Sequence, residues 1–268
     1  MNTLKKILVT GANGGLGFAV SKYFSENGFF VYRTDVKLGD ELENTRQILC
    51  DLTDSKQIEL LKEEILKETD SLYAVINLAG TFNMDSLIEI EEEKFKKIFE
   101  INFFGAFNIS KTFFPLYKNG GRVLIVTSEV APLYPLPFES VYGLTKSTLD
   151  NYASALRMEL NLLNIPVSVI RPGAIETELL GASTTALDRL CEKTELYSYN
   201  AEKFKKIVNR TESKAVKPEK VAKVIYKAAT AKKPKFTYSI NANKGLKLLN
   251  ILPKKLQVYV IKKILKEK

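Results

Sequence analysis

The sequence of this 268-residue chain contains no histidine and only two cysteines. Without histidine, the chain cannot form a Ser-His-Asp or Cys-His nucleophile system or a histidine-containing zinc site. Any proton transfer must therefore use tyrosine, lysine, cysteine or a carboxylate. Because Cys50 and Cys191 are far apart in the sequence, we expect no disulfide framework and no metal site, and we predict a reducing, cytoplasmic environment.

Long apolar segments are also missing. The first apolar run lies within residues 5–10 and is too short for a signal peptide or a membrane span, and no later run reaches about 18 apolar residues. No linker-like segment or internal repeat divides the sequence, of which 45% is hydrophobic and 26% is charged. We therefore predict one globular domain over residues 1–240 and an extension over residues 241–268.

Short hydrophobic runs alternate with longer segments of helical periodicity, which is typical of βαβ units around a parallel sheet. Strands are predicted near residues 5–10, 29–34, 47–50, 72–77, 121–127, 165–170 and 235–239. Helices are predicted near residues 15–27, 55–68, 92–117, 139–163 and 218–231, with an irregular helical insertion near residues 183–211. The sequence thus predicts an α/β fold with a doubly wound, Rossmann-type parallel sheet of about seven strands.

A glycine-rich turn, Thr10-Gly11-Ala12-Asn13-Gly14-Gly15-Leu16-Gly17, follows the first predicted strand and opens a helix. Backbone N–H groups in such a turn can approach a pyrophosphate, and the helix dipole favours its negative charge. A glycine-rich turn alone is weak evidence, but here the strand before it and the helix after it supply the context that the motif requires. The turn therefore predicts a dinucleotide site.

The second predicted strand ends at Asp35, whose carboxylate can accept hydrogen bonds from the hydroxyls of an adenosine ribose. The alternative is an ordinary turn aspartate at the end of a strand. Asp35 would repel a 2′-phosphate, so we predict NAD as the cofactor and NADP as the weaker candidate. Arg33 and Lys37 are the neighbouring cations that could reverse this preference.

Tyr142 and Lys146 are four residues apart on a predicted helix, so the two side chains share one helix face. An ammonium at this distance is expected to lower the pKa of the phenol towards neutrality. Tyr142 would then be a usable acid or base. Taken alone, the spacing also fits an ordinary solvated helix face, and only the accompanying motifs favour chemistry.

Six motifs occur in a fixed order: Thr10-Gly-x-x-x-Gly-x-Gly17, Asn77-Leu78-Ala79-Gly80, Asn102, Ser128, Tyr142-x-x-x-Lys146 and Pro172-Gly173. With this order and spacing, the chain resembles the short-chain dehydrogenase/reductase family in its compact single-domain form. The resemblance covers about residues 4–240. No motif is decisive by itself, and the combination carries the resemblance.

The resemblance implies a catalytic group of four residues. Tyr142 would exchange a proton with the substrate, while Lys146 would lower the pKa of Tyr142 and hold the nicotinamide ribose. Ser128 would hydrogen-bond the substrate oxygen, and Asn102 would support a water that links Lys146 to solvent. A loop serine and a helix-interior amide are the ordinary alternatives for Ser128 and Asn102.

The resemblance also implies a cofactor site. Its residues would be Gly11, Asn13, Gly15, Leu16, Gly17, Asp35, Asp51, Leu52, Asn77, Ala79, Gly80, Tyr142, Lys146, Pro172, Gly173, Ile175 and Thr177. Among these, Asp51 and Leu52 would lie by the adenine, and Ile175 and Thr177 would contact the nicotinamide carboxamide. Leu78 stands where many members have a second asparagine, which is a mild departure from the family pattern.

Substrate choice in this family comes from the loop after the fifth strand and the insertion after the sixth. Here the loop Ala131–Phe138 is apolar and contains three prolines, and we expect it to wall the site, with Leu179, Leu180 and Leu187 opposite. We infer a hydrophobic secondary alcohol or ketone, such as a steroid, retinoid or lipid-like molecule, with a small polar substrate as the alternative.

The C-terminal end is strongly basic, since residues 212–268 contain 16 lysines and 3 glutamates, a net charge of +13. A basic amphipathic helix is predicted from Lys254, similar to the tails of family members that act on steroids and retinoids. Residues 244–268 would rest on an anionic membrane surface, peripheral to its inner face, or cap the pocket where a lipid-like substrate enters. The alternative is a helix that packs its apolar face on the body or on a second subunit. We expect no nucleic-acid binding, because no aromatic-basic reader motif accompanies the lysines.

The sequence therefore predicts an NAD-dependent oxidoreductase. A non-catalytic NAD-binding redox sensor or scaffold is the rival, although the presence of Ser128, Tyr142 and Lys146 counts against it. The resemblance further suggests a homodimer or homotetramer through helices near residues 103–117 and 146–163. The aromatic stripe on the first of these helices, from Phe103 to Phe114, fits either a core face or such an interface.

Overall fold

The computed structural model describes residues 4–212 and 214–266, except for the side chains of Ser140, Leu179, Ala182, Thr211 and Glu212. Seven parallel strands form one sheet in the order β3-β2-β1-β4-β5-β6-β7. The strands are β1 Lys5–Thr10, β2 Phe29–Asp35, β3 Thr45–Leu49, β4 Ala74–Asn77, β5 Val123–Val126, β6 Val167–Pro172 and β7 Thr237–Ile240. The predicted doubly wound Rossmann-type fold is confirmed.

Helices cover both faces of the sheet, which explains why central strand β5 is buried along its whole length. The helices are α1 Gly15–Glu26, α2 Ser55–Leu66, α3 Glu92–Phe99, α4 Gly105–Thr112, α5 Phe114–Tyr117, α6 Ser140–Asn161, α7 Glu178–Lys193, α8 Ser198–Glu212, α9 Pro218–Thr230, α10 Lys244–Ile251 and α11 Lys254–Leu265. Helices α2, α4, α5 and α6 form a core with one face of the sheet, and α1 and α9 form a core with the other.

The single helix predicted near residues 92–117 is interrupted. A π-helical turn, Glu100–Phe104, separates α3 from α4 and contains the buried side chain of Asn102. The aromatic stripe is partly core, since Ile109 and Phe113 are fully buried, whereas Phe104 is exposed. A subunit interface on the exposed side therefore stays a prediction.

The insertion after β6 is more regular than predicted, because α7 and α8 are two ordinary helices. Their facing side chains, including Leu187, Leu190 and Phe204, form a small separate core, and Lys205 forms an ion pair of 2.6 Å with Asp188. This mutual packing of two apolar helix faces stabilises the helical structure of the insertion.

The extension packs against the rest of the chain at both ends. Leu265 and Ile261 of α11 contact the core between α7 and α8, and Asn200 donates a 2.8 Å hydrogen bond to the Leu265 carbonyl. At the other end, Asn250 accepts a 2.8 Å hydrogen bond from the backbone N–H of Tyr134. Across the part of the chain that the structure describes, no helix is long and apolar enough to cross a membrane.

Candidate active site

A cleft of about 920 Å³ opens along the carboxyl edge of the sheet. Its walls come from the ends of β2, β5 and β6, from the loops that follow β1 to β6, and from residues of α6, α7, α8 and α10. Because all strands are parallel, these loops meet at one edge, which is where ligands bind in open α/β sheets. The motifs of the sequence are therefore brought together by the topology.

The glycine-rich turn comes so close to the loop after β4 that side chains are excluded. Gly11 has a φ of +62°, and a Cβ at this position would lie 2.7 Å from the Cα of Ala79. A Cβ on Gly17 would lie 2.0 Å from the carbonyl oxygen of Gly11. The hydroxyl of Thr10 accepts a hydrogen bond of 3.2 Å from the Ala79 N–H and ties the two loops together. The start of α1 is thereby left open to a ligand.

Asp35 lies at the adenosine end of the predicted site and lines the cleft. Its Oδ2 accepts a 2.9 Å hydrogen bond from the backbone N–H of Asn13. Lys37 also lines the cleft, and its Nζ lies 3.9 Å from Glu178. Arg33 is fully buried, and its NH1 donates a 2.7 Å hydrogen bond to the Asp40 carbonyl, so this cation does not face the cleft.

Ser128, Tyr142 and Lys146 line the same region of the cleft. Helix α6 holds Tyr142 and Lys146 one turn apart, and Ser128 follows β5 by two residues. The hydroxyl of Ser128 is hydrogen-bonded to the phenol of Tyr142. Lys146 donates a 3.3 Å hydrogen bond to the Val126 carbonyl, and its Nζ lies 5.8 Å from the centroid of the Tyr142 ring.

The pKa of Tyr142 differs from the expectation. Burial raises the pKa of the phenol, and the nearby carboxylates Glu139 and Glu129 raise it further, while the hydrogen bond from Ser128 acts in the opposite direction. Burial likewise lowers the pKa of Lys146 to about 8. The spacing places the two side chains on one helix face, but the expected lowering of the Tyr142 pKa by Lys146 is not found, because loss of water dominates the pKa of both groups.

Asn102 connects the segment after β4 to α6. Its Nδ2 donates to the Thr81 carbonyl at 2.9 Å and to the Thr145 hydroxyl at 3.0 Å, and its Oδ1 accepts from the Thr81 N–H at 2.7 Å. A Cβ on Gly80 would lie 3.2 Å from both the Asn102 Oδ1 and the Lys146 Nζ. Asn102 is therefore close to Lys146 but is held by protein groups on both sides of its amide.

Most of the predicted site residues line the cleft. These are Gly11, Gly15, Leu16, Gly17, Asp35, Asp51, Leu52, Ala79, Gly80, Ser128, Tyr142, Lys146, Pro172, Gly173, Ile175 and Thr177. Three predicted asparagines, Asn13, Asn77 and Asn102, are not among the described residues that line it. Asn77 is buried and donates a 3.2 Å hydrogen bond to Ser110. These amides support the walls from behind.

The wall beside Tyr142 is largely apolar, but its composition differs from the prediction. Its apolar side chains are Phe82, Met84, Val130, Leu136, Leu180, Phe204, Ile207, Val208 and Leu246. Of the loop Ala131–Phe138, only Leu136 lines the cleft. Leu187 is fully buried between α7 and α8 instead, and Leu179 is one of the side chains outside the described set.

Two features of this wall were not predicted from the sequence. The ring of Phe82 packs on Tyr142 with centroids 4.6 Å apart. Glu129 lines the cleft beside Ser128, and burial raises the pKa of its carboxyl group. Its Oε2 accepts a hydrogen bond from the backbone N–H of Asn243, so the start of the extension is fixed to the loop after β5. Adjacency to Ser128 was the only signal for Glu129 in the sequence.

Comparison with known proteins identifies a family and several relatives of the chain. The sequence profile of the family described as short chain dehydrogenase matches residues 5–188. The 17-beta-hydroxysteroid dehydrogenase type 2 of Homo sapiens is 31% identical over 192 residues, which cover 67% of this chain and 49% of that protein. The 3-ketodihydrosphingosine reductase of Bacteroides thetaiotaomicron is 29% identical over 172 residues, which cover 64% of each. The chain thus spans about half the length of the first relative.

Solved structures share the fold. A short-chain dehydrogenase from Streptomyces avermitilis superposes with a TM-score of 0.77 at 21% identity, covering 90% of this chain and 89% of that one. ElxO with NADP bound gives a TM-score of 0.72 at 22% identity, covering 89% and 97%. The 3-ketoacyl-(acyl-carrier-protein) reductase from Brucella melitensis complexed with NADH gives 0.72 at 20% identity, covering 88% and 96%. Both forms of the cofactor thus occur on this fold.

Proposed function

The chain belongs to the short chain dehydrogenase family, and from that membership we propose that it is a nicotinamide-dependent oxidoreductase acting on a secondary alcohol or its ketone. The observation that carries this proposal is the group formed by Ser128, Tyr142 and Lys146, three buried polar side chains on one wall of the cleft. Buried polar groups that face a cleft mark a site where charge is handled during a reaction.

The cleft fits a dinucleotide at the end formed by the glycine-rich turn. Gly11 and Gly17 have no room for a Cβ, so backbone N–H groups at the start of α1 are accessible to a pyrophosphate. Asp35, Ala79 and Ile175 line the same cleft and would hold the adenosine ribose, the adjoining chain of the cofactor and the nicotinamide. When bound, the nicotinamide supplies or accepts the hydride.

The protein itself would handle the proton and the charge of the substrate oxygen. The Tyr142 hydroxyl is assigned the proton that a ketone oxygen gains or an alcohol oxygen loses. The Ser128 hydroxyl, already hydrogen-bonded to Tyr142, would donate to the same oxygen and stabilise its developing negative charge. Lys146 would stabilise a phenolate on Tyr142, because its ammonium lies beside that ring in a buried environment.

We propose NAD as the preferred cofactor. Asp35 lines the cleft with its carboxylate fixed by Asn13, and a 2′-phosphate beside it would bring two negative charges together. Arg33 is buried behind the wall, where it cannot pair with a phosphate. Lys37 is exposed and paired with Glu178, and is the remaining cation that could accept NADP.

The apolar wall around Tyr142 favours a hydrophobic substrate, of the steroid, retinoid or lipid-like class, over a small polar one. Side chains such as Phe82, Leu136 and Phe204 offer no partner for a polyhydroxylated molecule. The names of the two relatives, a hydroxysteroid dehydrogenase and a ketosphingolipid reductase, support the same class. The rival, an NAD-binding sensor without turnover, would have no use for this buried catalytic group.

A substrate panel tests the proposal. Hydroxysteroids, retinol, 3-oxoacyl compounds and small polyols would be offered to the purified chain, and the absorbance of NADH followed in both directions. Turnover of apolar members supports the proposal. Binding of NADH without turnover of any member supports the sensor, and turnover confined to polyols removes the hydrophobic class.

We also propose a location and an assembly for the chain. It would be cytoplasmic and form a homodimer or homotetramer through α4 and α6, where Met158 of α6 and Leu162 just after it expose apolar side chains. Residues 244–266 would touch an anionic membrane, because Leu248 and Ile251 are 67% and 78% exposed among lysines. Sedimentation equilibrium measures the assembly, and a species of monomer mass at micromolar concentration contradicts it.

A further inference from the structure

Arg33 is a fully buried arginine near the carboxyl end of β2, beside the edge strand β3, and full burial is rare for a guanidinium. Its NH1 donates to the Asp40 carbonyl at 2.7 Å, and its NH2 donates to the Asn13 Oδ1 at 2.5 Å. Its Nε has no partner among the described residues. The ring of Phe18 lies 5.4 Å from the guanidinium carbon. The group is thus held between the glycine-rich turn and the loop after β2.

The side-chain amide of Asn13 is bonded to both of these segments. Its Nδ2 donates to the Lys37 carbonyl at 2.7 Å and to the Gln47 Oε1 at 3.1 Å, while its Oδ1 accepts from Arg33. The backbone of Gly39 packs closely against the same amide, since a Cβ on Gly39 would lie 2.9 Å from the Cγ of Asn13. With three partners and no free space, the Asn13 amide has one orientation.

The backbone of the same asparagine holds the carboxylate that faces the cleft. The Asn13 N–H donates to the Asp35 Oδ2 at 2.9 Å, and the Val36 N–H donates to the Asp35 Oδ1 at 2.8 Å. Asp35 is therefore fixed by one group from each segment, and Arg33 joins those two segments through Asn13 and Asp40.

We propose that Arg33 is a positioning residue for adenosine recognition, which orients the Asp35 carboxylate by clamping Asn13 and the loop after β2. The inference rests on the proposed function, since it assumes that Asp35 receives the ribose hydroxyls. Arginine suits the task because its planar fork donates in two fixed directions, which a lysine ammonium or an apolar side chain cannot do. An arginine with no such role would be replaced at lower cost by an apolar residue in this buried position.

The test uses Arg33→Met in the full chain, with Arg122→Met as a matched control. Arg122 also donates from NH1 to a carbonyl, that of Ala231, at 3.0 Å, also packs on an aromatic ring, that of Tyr73, and also has an unpaired buried Nε. It precedes β5, at the opposite edge of the sheet from the cleft. The dissociation constants of NADH, NADPH and ADP-ribose would be measured by calorimetry, and thermal unfolding for each variant.

We expect Arg33→Met to lower the affinity for NADH and for ADP-ribose about tenfold, which is the equivalent of one or two hydrogen bonds. The affinity for NADPH should fall by a smaller factor, because an Asp35 carboxylate that is no longer held in place repels the 2′-phosphate less. The ratio of the NADH affinity to the NADPH affinity distinguishes positioning of Asp35 from a general loss of structure, because a general loss of structure would lower both affinities by the same factor. Arg122→Met should lose thermal stability with unchanged affinities.

A milder variant covers the case in which Arg33→Met does not fold. Gln47→Met removes one partner of the Asn13 amide from the half-buried edge strand β3 and should shift the NADH to NADPH ratio in the same direction. Ratios equal to those of the parent in both variants overturn the inference. Failure of the parent chain itself to bind any of the three ligands contradicts the proposed function instead.

Discussion

The Nζ of Lys146 lies 5.8 Å from the ring centroid of Tyr142, one helical turn away, and neither side chain is more than 7% exposed. Burial excludes the water that would stabilise the charged form of either side chain. Burial raises the pKa of Tyr142 and lowers that of Lys146 to about 8. Burial therefore disfavours the charged form of both groups, although Lys146 is still protonated below pH 8.

Replacing Tyr142 by phenylalanine removes the proton donor while keeping the ring that packs on Phe82. We expect turnover to fall about 10²- to 10⁴-fold, the usual contribution of a general acid or base, with the affinity for NADH unchanged. Tyr117→Phe is the control, because the Tyr117 hydroxyl is equally buried and donates 2.6 Å to the Ser110 carbonyl outside the cleft. Retention of turnover in Tyr142→Phe would contradict the assigned role.

The lowered pKa of Lys146 predicts a dependence of stability on pH. The unfolded chain keeps this lysine protonated up to its usual pKa near 10.4, whereas the folded chain releases the proton near pH 8. Between these values the unfolded state binds more protons, so stability rises with pH. Below pH 8 both states are protonated and the slope vanishes.

Comparison with Lys146→Met isolates this effect. The free energy of unfolding in urea would be measured for both chains from pH 7 to pH 9.5, below the ordinary tyrosine pKa of about 10 at which the raised pKa of Tyr142 begins to affect stability. The parent chain should gain on the order of 2 kcal/mol relative to Lys146→Met over this range. A constant or falling difference would show that the ammonium of Lys146 is not destabilised by burial.

Local signals in the sequence were sufficient for the strands, the glycine-rich turn and the position of Tyr142, because each depends on residues that are neighbours in the chain. Gly11 and Gly17 are required by contacts within the turn or directly beside it. The direction of the Tyr142 pKa was not predictable in this way. It depends on burial by Phe82 and the carboxylates of Glu129 and Glu139, which only the folded chain brings together.

Hydrogen bonds between residues far apart in the sequence could not be predicted either. The π-helical turn contains Asn102, whose side-chain amide bonds to Thr81 and Thr145, which are 21 and 43 residues away. The tie between Glu129 and Asn243 spans 114 residues. Periodicity describes which face of an element is apolar, but it does not describe which buried polar group another segment will satisfy.

The glycine-rich turn distinguishes two glycines that lie three residues apart. A Cβ on Gly17 would meet the Gly11 carbonyl oxygen at 2.0 Å, whereas a Cβ on Gly14 would lie 3.7 Å from the same oxygen. Gly17→Ala should therefore distort the turn, lower the melting temperature by several degrees and lower the affinity for NADH. Gly14→Ala should keep the stability of the parent chain. Equal melting temperatures for the two variants, measured by circular dichroism, would contradict the close approach.

Asp35→Asn tests the proposed preference for NAD directly. Removal of the negative charge should lower the affinity for NADH, because an amide accepts hydrogen bonds from a ribose diol less strongly than a carboxylate does. The same change should raise the affinity for NADPH, because the repulsion between the carboxylate and the 2′-phosphate is lost. Asp40→Asn is the control, since the exposed Asp40 side chain is close in sequence but is absent from the described lining of the cleft. Titration of both cofactors by fluorescence gives the ratio. An unchanged ratio in Asp35→Asn would place the ribose elsewhere.

The extension offers a choice between two surfaces for its apolar side chains. Ile261 and Leu265 are packed on the core between α7 and α8, so they cannot also enter a membrane. Among the described residues of the extension, the most exposed large apolar side chains are Ile251 and Leu248. If these two insert among lipids, each contributes about 1.5–3 kcal/mol of apolar burial, and the surrounding lysines add attraction to anionic headgroups that salt weakens.

We therefore expect the parent chain to co-sediment with vesicles containing phosphatidylserine and to be released by high salt. The double variant Leu248→Glu with Ile251→Glu should remain in the supernatant, because it loses apolar area and adds like charge. The control, Leu49→Glu with Leu60→Glu, makes the same changes at two exposed leucines on β3 and α2 and should bind as the parent does. Binding lost equally in both variants would mean that net charge alone drives adsorption, and no binding by the parent would leave packing on the body or on a second subunit as the role of the extension.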